Sequence, residues 1–454
     1  LILQKSGNNK MSKRRKQKLS TELFNTTIES LSHEGRGITH IDGKTTFIRN
    51  ALPEETITFK YLSKKRAFDA AIAIEILKPS ATRVIPTCPH FNLCGGCCLQ
   101  HMHSETQIQH KQQVLIDQLQ HFGKIKPQEI LPPLTGPIWG YRHKARLGVR
   151  FVAKKAKVLI GFREINGRYI TDISSCKILH ATVGNKIAQL QELIATLNNF
   201  KAIPQIEVAA GDNQTALVIR HLQPLPQPDI DKLIAFAKLH NFAIYLQPKG
   251  IDTAHKIWPI NTPARLSYHL PLHDVTLFFH PCDFTQINLG INRNMIDRVI
   301  TLLDVNKTDT ILDLFCGLGN FTIPLAKLCK HIVGIEGAPE MVQRAQENMQ
   351  YNQINNANFY CTNLSESVAK FAWTKQHYDK VLLDPPRSGA LEVIKNFAGF
   401  KTAKNIVYVS CNPATLARDA GLLVHEYGYT LQKIGVINMF PHTAHVESIA
   451  LFNK

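Results

Sequence analysis

Four stretches of this chain have residue types and spacings that could do chemistry. The first is Thr310-Ile311-Leu312-Asp313-Leu314-Phe315-Cys316-Gly317-Leu318-Gly319-Asn320-Phe321, an apolar run that enters a glycine-rich turn. Glycines let the backbone approach a ligand closely, and the helix that follows such a turn leaves N–H groups free at its start. Seventeen residues beyond Gly319, the run His331-Ile332-Val333-Gly334-Ile335 ends in Glu336, an acid placed to bond ribose hydroxyls. The turn lacks both the third glycine of a dinucleotide loop and the lysine of a P-loop, so dinucleotides and triphosphates fit it poorly. The second and third stretches, Asp384-Pro385-Pro386-Arg387 and Ser410-Cys411-Asn412-Pro413, each end an apolar strand-like run. In open α/β sheets ligands bind outside the carboxyl ends of strands. The fourth, Met439-Phe440-Pro441-His442-Thr443-Ala444-His445-Val446-Glu447-Ser448, is a polar insertion before the last apolar run, and it offers His442, His445 and Glu447 as bases.

The pattern Asp-x-Phe-x-Gly-x-Gly is similar to motif I of S-adenosylmethionine methyltransferases. That donor has a ribose and an adenine but no phosphate, so it needs no phosphate cradle. Asp-Pro-Pro-Arg differs from the Asn/Asp-Pro-Pro-Tyr/Phe of amino-directed methyltransferases, which need no covalent nucleophile. Here Cys411 stands where it can attack. Uracil C5 is a poor nucleophile; a thiolate added at C6 makes it enolate-like and able to accept a methyl group from a sulfonium. A base must then remove the C5 proton before the cysteine can leave. Such chemistry asks for one cysteine and one base near the donor. Alone, Cys411 would read as a buried thiol and Glu447 as a cap or ion-pair partner. Together with motif I, Asp-Pro-Pro-Arg, Ser-Cys-Asn-Pro and Phe-Pro-His-Thr-x-His-x-Glu, they resemble the RNA (uracil-5-)-methyltransferase family, in particular its iron–sulfur members that act on 23S rRNA. The resemblance runs from about residue 20 to the end. It implies Cys411 as nucleophile and Glu447 as the base. It also implies S-adenosyl-L-methionine contacts from Gln286, in Phe284-Thr285-Gln286-Ile287-Asn288, and from Phe315, Asn320, Glu336, Asn363 and Asp384. Two rival readings are a tRNA uracil-5-methyltransferase of the same chemistry and a non-catalytic iron–sulfur RNA-binding protein. The latter would need neither Cys411 nor Glu447.

A separate cluster, Cys88-Pro89-His90-Phe91-Asn92-Leu93-Cys94-Gly95-Gly96-Cys97, has the spacing C-x5-C-x2-C, with Cys176 a candidate fourth ligand. Four thiolates suit zinc and an iron–sulfur cluster equally well by spacing. The resemblance implies [4Fe–4S] on Cys88, Cys94, Cys97 and Cys176, with Cys98 an extra thiol beside them. No substrate calls for reduction, so a structural or RNA-positioning cluster is expected.

The elements needed to hold these groups are legible in outline. Residues 281–454 alternate helical segments (288–303, 320–330, 338–352, 390–399) with apolar strands (310–315, 331–335, 380–384, 405–410, 446–452). This is the pattern of a Rossmann-like, doubly wound α/β domain with a parallel sheet. Residues 20–79 read as five short strands, Thr27–Leu31, Gly37–Ile41, Thr45–Arg49, Glu55–Leu62 and Phe68–Leu77, with Asp42-Gly43 a tight-hairpin signal. They fit a small barrel of the OB type. Ser32-His33-Glu34-Gly35-Arg36-Gly37-Ile38 resembles the start of a TRAM domain, although Pro53-Glu54-Glu55 stands where that family often has Pro-Gly-Glu. Lys60, Lys64, Lys65 and Arg66 beside Tyr61 and Phe68 combine basic and aromatic side chains. Residues 80–280 form a mainly β central region that carries the cysteines. Its amphipathic helix near 104–122, with Ile108, Val114, Leu115, Leu119 and Phe122 apolar, is expected to pack on the catalytic domain, and the region 138–280 opens with the basic cluster Tyr141–Arg146.

Composition fits this outline. The chain has 454 residues, enough for roughly three domains. Its 10 cysteines are too sparse for a disulfide scaffold. No run approaches a membrane span, and Leu1-Ile2-Leu3 is no secretory core; these features point to the cytoplasm. Leu1 is not a methionine and Met11 opens onto the basic run, so residues 1–10 are read as preceding the natural start. Lys plus Arg total 53 against 35 acids, a net charge of +18. Such a field favours a polyanionic partner. Seven basic residues and no acid precede Glu22, and residues 1–19 are expected to be a disordered basic tail. A monomer that binds 23S rRNA and no membrane is the expectation for partners.

Overall fold

The structure, a computed structural model, describes residues 22–165 and 167–454, so the basic run before Glu22 lies outside the described residues. The chain divides into two compact units, one ending at Arg83 and one from Val84 to Lys454.

In the first unit, strands β1 (Phe24–Thr27), β2 (Ser30–Leu31), β3 (Gly37–Ile41), β4 (Lys44–Arg49), β5 (Thr56–Lys64) and β6 (Asp69–Lys78) form a sheet of order β1-β5-β6-β4-β3-β2. The single strand expected at 27–31 is split. Its first half pairs with β5 and its second with β3, so the bend at Ile28-Glu29 closes the sheet into a barrel. Ile28, Ile48, Ile57, Phe59 and Ala71 fill the interior. Asp42 (φ 50°) and Gly43 (φ 75°) make the β3–β4 hairpin with both central residues at positive φ, the geometry that Asp-Gly favours. Glu54 sits at φ 70°, which explains why a glycine suits this position. Next to it, buried Glu55 accepts from the Leu52 and Ser80 N–H groups and pairs with Arg83 through the guanidinium's Nε and Nη2. Burial pushes the Glu55 carboxyl up, but Arg83 and the two backbone donors outweigh it and hold it below its ordinary value. Arg83→Met should therefore cost this unit about 3–5 kcal/mol, because a buried carboxylate loses its partner. Urea denaturation of the protein would measure this; a loss below 1 kcal/mol would show the pair to be dispensable. The pair's stabilisation should be present at neutral pH and fade as pH falls through the lowered carboxyl value.

The second unit begins with residues 84–102, which contain no helix or strand. Helix α1 (Ser104–Gln118) follows and continues as a wider π turn to Gly123. Val114, Leu115 and Leu119 are buried in the core of the C-terminal sheet, whereas Phe122 is exposed. After the short β7 (Glu129–Ile130), strands β8 (Lys144–Val152), β9 (Lys157–Gly161), β10 (Gln205–Ala210), β11 (Thr215–Arg220), β12 (Phe242–Gln247) and β13 (His255–Trp258) form a sheet of order β13-β12-β11-β10-β8-β9. Three helices within this region, α2 (Ala181–Gly184), α3 (Ile187–Ala195) and α4 (Gln227–His240), add to the strands expected there. Their apolar stripes share a core with Leu147, Ile206 and Leu217. The opposite face, including Ala216, Val218 and Tyr245, packs into the core that holds the hairpin β14 (Leu266–Leu270) and β15 (Val275–Phe279). A sheet covered on both faces accounts for β10, β11 and β12, which are buried at nearly every position.

The C-terminal sheet is built from β16 (Thr310–Leu314), β17 (His331–Glu336), β18 (Ala357–Cys361), β19 (Lys380–Leu383), β20 (Asn405–Ser410), β21 (Thr430–Ile437) and β22 (Glu447–Asn453). Helices α5 (Leu289–Leu303), α6 (Thr322–Ala326), α7 (Pro339–Tyr351), α8 (Leu391–Asn396) and α9 (Pro413–His425) accompany it. The order is β18-β17-β16-β19-β20-β22-β21-β7. Strands β18 to β20 run parallel, as expected, but β22 is inserted antiparallel between β20 and β21. The reason is local: no crossover helix separates β21 from β22, and adjacent strands joined without a crossover must run antiparallel. Helix α9 and strand β21 fall where no element was expected.

Candidate active site

Five of the expected site residues sit at or just past the carboxyl ends of the parallel strands. Phe315 follows β16, Glu336 ends β17, Asn363 lies just past β18, Asp384 follows β19 and Cys411 follows β20. They line one cleft together with Gln286, Asn320, Arg387, Phe440, His445 and Glu447. The cleft has a volume of about 1110 Å³, at the top of the roughly 300–1,000 Å³ range of small-molecule pockets.

The donor side is built around β16. Gly317 (φ 56°) and Gly319 (φ 90°) take left-handed conformations that turn the chain from the strand into α6. Phe315 is also left-handed, at φ 66°. A bulky residue held there is a strained position of the kind that clusters at functional sites. Glu336 accepts from the Gly317 N–H at 3.1 Å through one oxygen and from Gly337 and Ala338 at 2.8 and 2.9 Å through the other. The acid thereby fixes the glycine turn. Asn320 is held by a partnership the sequence did not reveal. Its Oδ1 accepts from Tyr268 Oη (2.8 Å) and from Asn292 Nδ2 (2.9 Å), and its Nδ2 donates back to Asn292 Oδ1. Asn363 is braced by Ser365 and Glu366 in its own loop. Asp313 is fully buried behind the turn and accepts from Thr322 at 2.6 Å.

The side of the cleft that holds Cys411 and Glu447 depends on the inserted strand. In the β20–β22 pair Ser410 stands opposite Ser448, so the next residues outward, Cys411 and Glu447, face each other at the strand end. Both groups are shifted toward their neutral forms. Burial, then Glu447 and Asp384, push the Cys411 thiol up to about 11, and Arg387 opposes them. Burial and then Asp384 push the Glu447 carboxyl up to about 8, again against Arg387. Burial raises Asp384 to about 7. Asn412 caps α9 by accepting from the Ala414 N–H, and its Nδ2 and Thr415 Oγ1 both bond the Arg387 carbonyl, tying Ser-Cys-Asn-Pro to Asp-Pro-Pro-Arg.

The two histidines separate. His445 lines the cleft, but its Nδ1 accepts from Arg387 Nη2 at 3.1 Å. A guanidinium can only donate, so the neutral ring then carries its proton on Nε2 and has no free lone pair to act as a base. His442 is buried, stacks on Trp139 at 4.1 Å and does not line the cleft; burial lowers it to about 4. Glu447 is the remaining candidate of the three.

Cys88, Cys94, Cys97 and Cys176 line a second recess, with Phe91, Phe162, Ile173 and Ile178 as apolar walls. A side chain on Gly95 would meet the Arg163 carbonyl at 2.8 Å, so this loop lies tight against the central sheet. Among the described residues no three His, Cys, Asp or Glu side chains stand together as a ready site for a metal ion. Cys98 is directed elsewhere, and its thiol does not line the recess.

A family model described as tRNA (Uracil-5-)-methyltransferase matches residues 265–454. The chain is 52% identical to the 23S rRNA (uracil(1939)-C(5))-methyltransferase RlmD of Hahella chejuensis, over 97% of this chain and 99% of that one. It is 50% identical to proteins of the same name from Francisella tularensis subsp. novicida, over 97% and 99%, and from Xanthomonas campestris pv. campestris, over 95% and 97%. Among solved structures, the Pyrococcus abyssi tRNA (uracil-54, C5)-methyltransferase in complex with S-adenosyl-L-homocysteine matches with a TM-score of 0.70 at 24% identity, covering 94% of this chain and all of that one. That likeness shows a shared fold. With about half its residues identical along nearly the whole length of these relatives, the chain belongs to the S-adenosylmethionine-dependent RNA (uracil-5-)-methyltransferase family.

Proposed function

We propose that this enzyme methylates C5 of a uridine in 23S rRNA, with Cys411 as nucleophile and Glu447 as the base that takes the C5 proton. The observation that carries the reading is the β20–β22 register, which faces a cysteine with a buried carboxyl at the mouth of the donor cleft. S-adenosyl-L-methionine supplies an electrophilic methyl carbon on a cationic sulfur. Gln286, Phe315, Asn320, Glu336, Asn363 and Asp384 are the residues we assign to hold it. Positive charge brought beside Asp384, Glu447 and Cys411 favours their ionised forms, so donor binding would arm both the nucleophile and the base. Cys411 adds to C6, C5 takes the methyl group, Glu447 removes the C5 proton, and the C6–S bond breaks to release the thiolate.

The proximity of the pair has its own test. Alkylation of Cys411, followed by mass spectrometry of its peptide, should rise with pH toward about 11. Glu447→Gln removes a negative neighbour and should move that midpoint to lower pH. An unchanged midpoint would mean that the two groups do not face each other.

We assign a [4Fe–4S] cluster to Cys88, Cys94, Cys97 and Cys176. In a cubane each thiolate binds its own iron corner, so the four sulfurs surround a volume rather than converge on one ion. Four cysteines around an apolar recess fit that demand. The barrel, read as a TRAM domain, would contribute RNA contacts through its basic and aromatic pairs, Lys64 over Tyr61 and Lys65 over Phe68.

The choice of RNA is tested with labelled donor. The purified enzyme should methylate unmodified 23S rRNA and leave tRNA unlabelled, and a strain lacking it should lose a 5-methyluridine from 23S rRNA. Label in tRNA alone would replace this reading with the tRNA one.

A further inference from the structure

The loop between β21 and β22 leads directly into the proposed base, Glu447, at the first position of β22. Its backbone is gripped by the segment that runs from the cysteine cluster into α1. The N–H groups of Cys98 and Leu99 both donate to the His442 carbonyl, at 2.9 and 3.0 Å. The His442 N–H donates to Gln107 Oε1 at 2.9 Å, while Gln107 Nε2 donates back to the Leu99 and Met102 carbonyls at 3.0 and 2.8 Å. One glutamine therefore bonds both the catalytic loop and the cluster segment. One helical turn further on, Lys111 Nζ donates to the Phe440 carbonyl at 2.8 Å and to Asn438 Oδ1 at 3.1 Å. Lys111 is fully buried, a position an ammonium takes only where its donors are used. Tyr141 Oη closes the grip by donating to the Pro441 carbonyl at 2.9 Å.

We propose that this clamp is a positioning device for Glu447, and that the cysteine cluster serves catalysis by holding the clamp in register. The cluster segment 84–102 has no helix or strand of its own. Its order depends on cross-links, and Cys97 is adjacent to the residue whose N–H grips His442. Cys411, by contrast, sits at the end of β20 with α9 capped behind it, and none of the clamp's hydrogen bonds is made to it. Loosening the clamp should therefore impair the step that needs Glu447 and spare the steps that need Cys411 and the donor.

This inference rests on the proposed role of Glu447, and the experiment keeps the two apart. Gln107→Met, Tyr141→Phe and Cys97→Ser are compared with Glu447→Gln and with the unaltered protein, all full length. The readouts are donor affinity by calorimetry, the rate of covalent complex formation with RNA, and the fraction of methylated complex surviving a denaturing gel. Misplacing a base by about 1 Å can cost up to about 10²-fold in the step it serves. The clamp variants should bind donor within about twofold of the unaltered protein, form the complex at its rate, and accumulate it as elimination slows by about that factor. Tyr141→Phe, the mildest change, guards against loss of folding. Cys97→Ser should add loss of visible absorbance to the same trapping. If Glu447→Gln traps the complex but the clamp variants turn over normally, or lose donor binding and complex formation in parallel, the clamp is not a positioning device. If Cys97→Ser alone turns over normally, the cluster has no part in it. If Glu447→Gln itself fails to trap, the assignment of the base is at fault.

Discussion

Glu447→Gln is expected to leave the enzyme covalently attached to its RNA. The thiolate of Cys411 can still add to C6, and the methyl group can still transfer. The C5 proton then has no acceptor, so the cysteine cannot leave. Removal of a general base costs typically about 10²–10⁴-fold, and here the loss should fall on elimination alone. The product is a methylated enzyme–RNA complex that survives a denaturing gel. Cys411→Ala should fail earlier: C5 is never activated, methylation falls to background, and no complex forms, while donor and RNA still bind. The pH dependence follows the same assignment. The Glu447 carboxyl is pushed up to about 8, and a base works in its ionised form, so the rate at which the covalent complex resolves should rise with pH as that carboxyl ionises. Glu447→Gln should abolish that limb. Full turnover by the variant, with no trapped complex, would remove Glu447 from the mechanism. The histidines provide the control. His445→Ala should not trap the complex, because its Nδ1 is already engaged by Arg387.

Protein purified without oxygen should be brown and carry about four irons per chain, the content of one cubane. Cys176→Ser is the discriminating variant, because Cys176 comes from a distant part of the chain yet lines the same recess as the other three. Burial is the main cause that pushes Cys176 up to about 11 and Cys97 up to about 12, and nearby thiols reinforce it. Buried thiols side by side become thiolates together only when a cationic centre balances them, so cluster binding and local folding should be coupled. Cys176→Ser should lose the colour and most of the iron, and its melting temperature should fall. Cys98→Ser should keep the colour, since that thiol stands outside the recess. Stoichiometric zinc with no visible absorbance would overturn the cluster assignment.

The glycine-turn side of the cleft was legible in its residues because α/β sheets write their sites locally. A strand, a glycine turn, a helix and an acid at the next strand end are contiguous, and the expected contacts at Phe315, Asn320, Glu336 and Asp384 do line one cleft. The Asp42-Gly43 hairpin was legible for the same reason, since two residues suffice to specify a turn. Elements whose order depends on distant pairing were not. The strand expected at 27–31 reads as one piece, and only its two different partners show where it must bend. The antiparallel place of β22 decides that Glu447 faces Cys411, and this register is set by strand pairing that spacing along the chain does not report. Among three candidate bases, residue type could not choose. Tertiary structure removes His442 by burying it against Trp139 and occupies His445 with Arg387. Gln107 and Lys111 left one faint trace, polar residues on the same helical stripe as Val114 and Leu115, where the amphipathic pattern calls for apolar ones. A polar group on a buried stripe must find a partner, but the His442 N–H that Gln107 accepts from and the Phe440 carbonyl that Lys111 donates to lie more than 300 residues away along the chain, where only the folded protein brings them into reach.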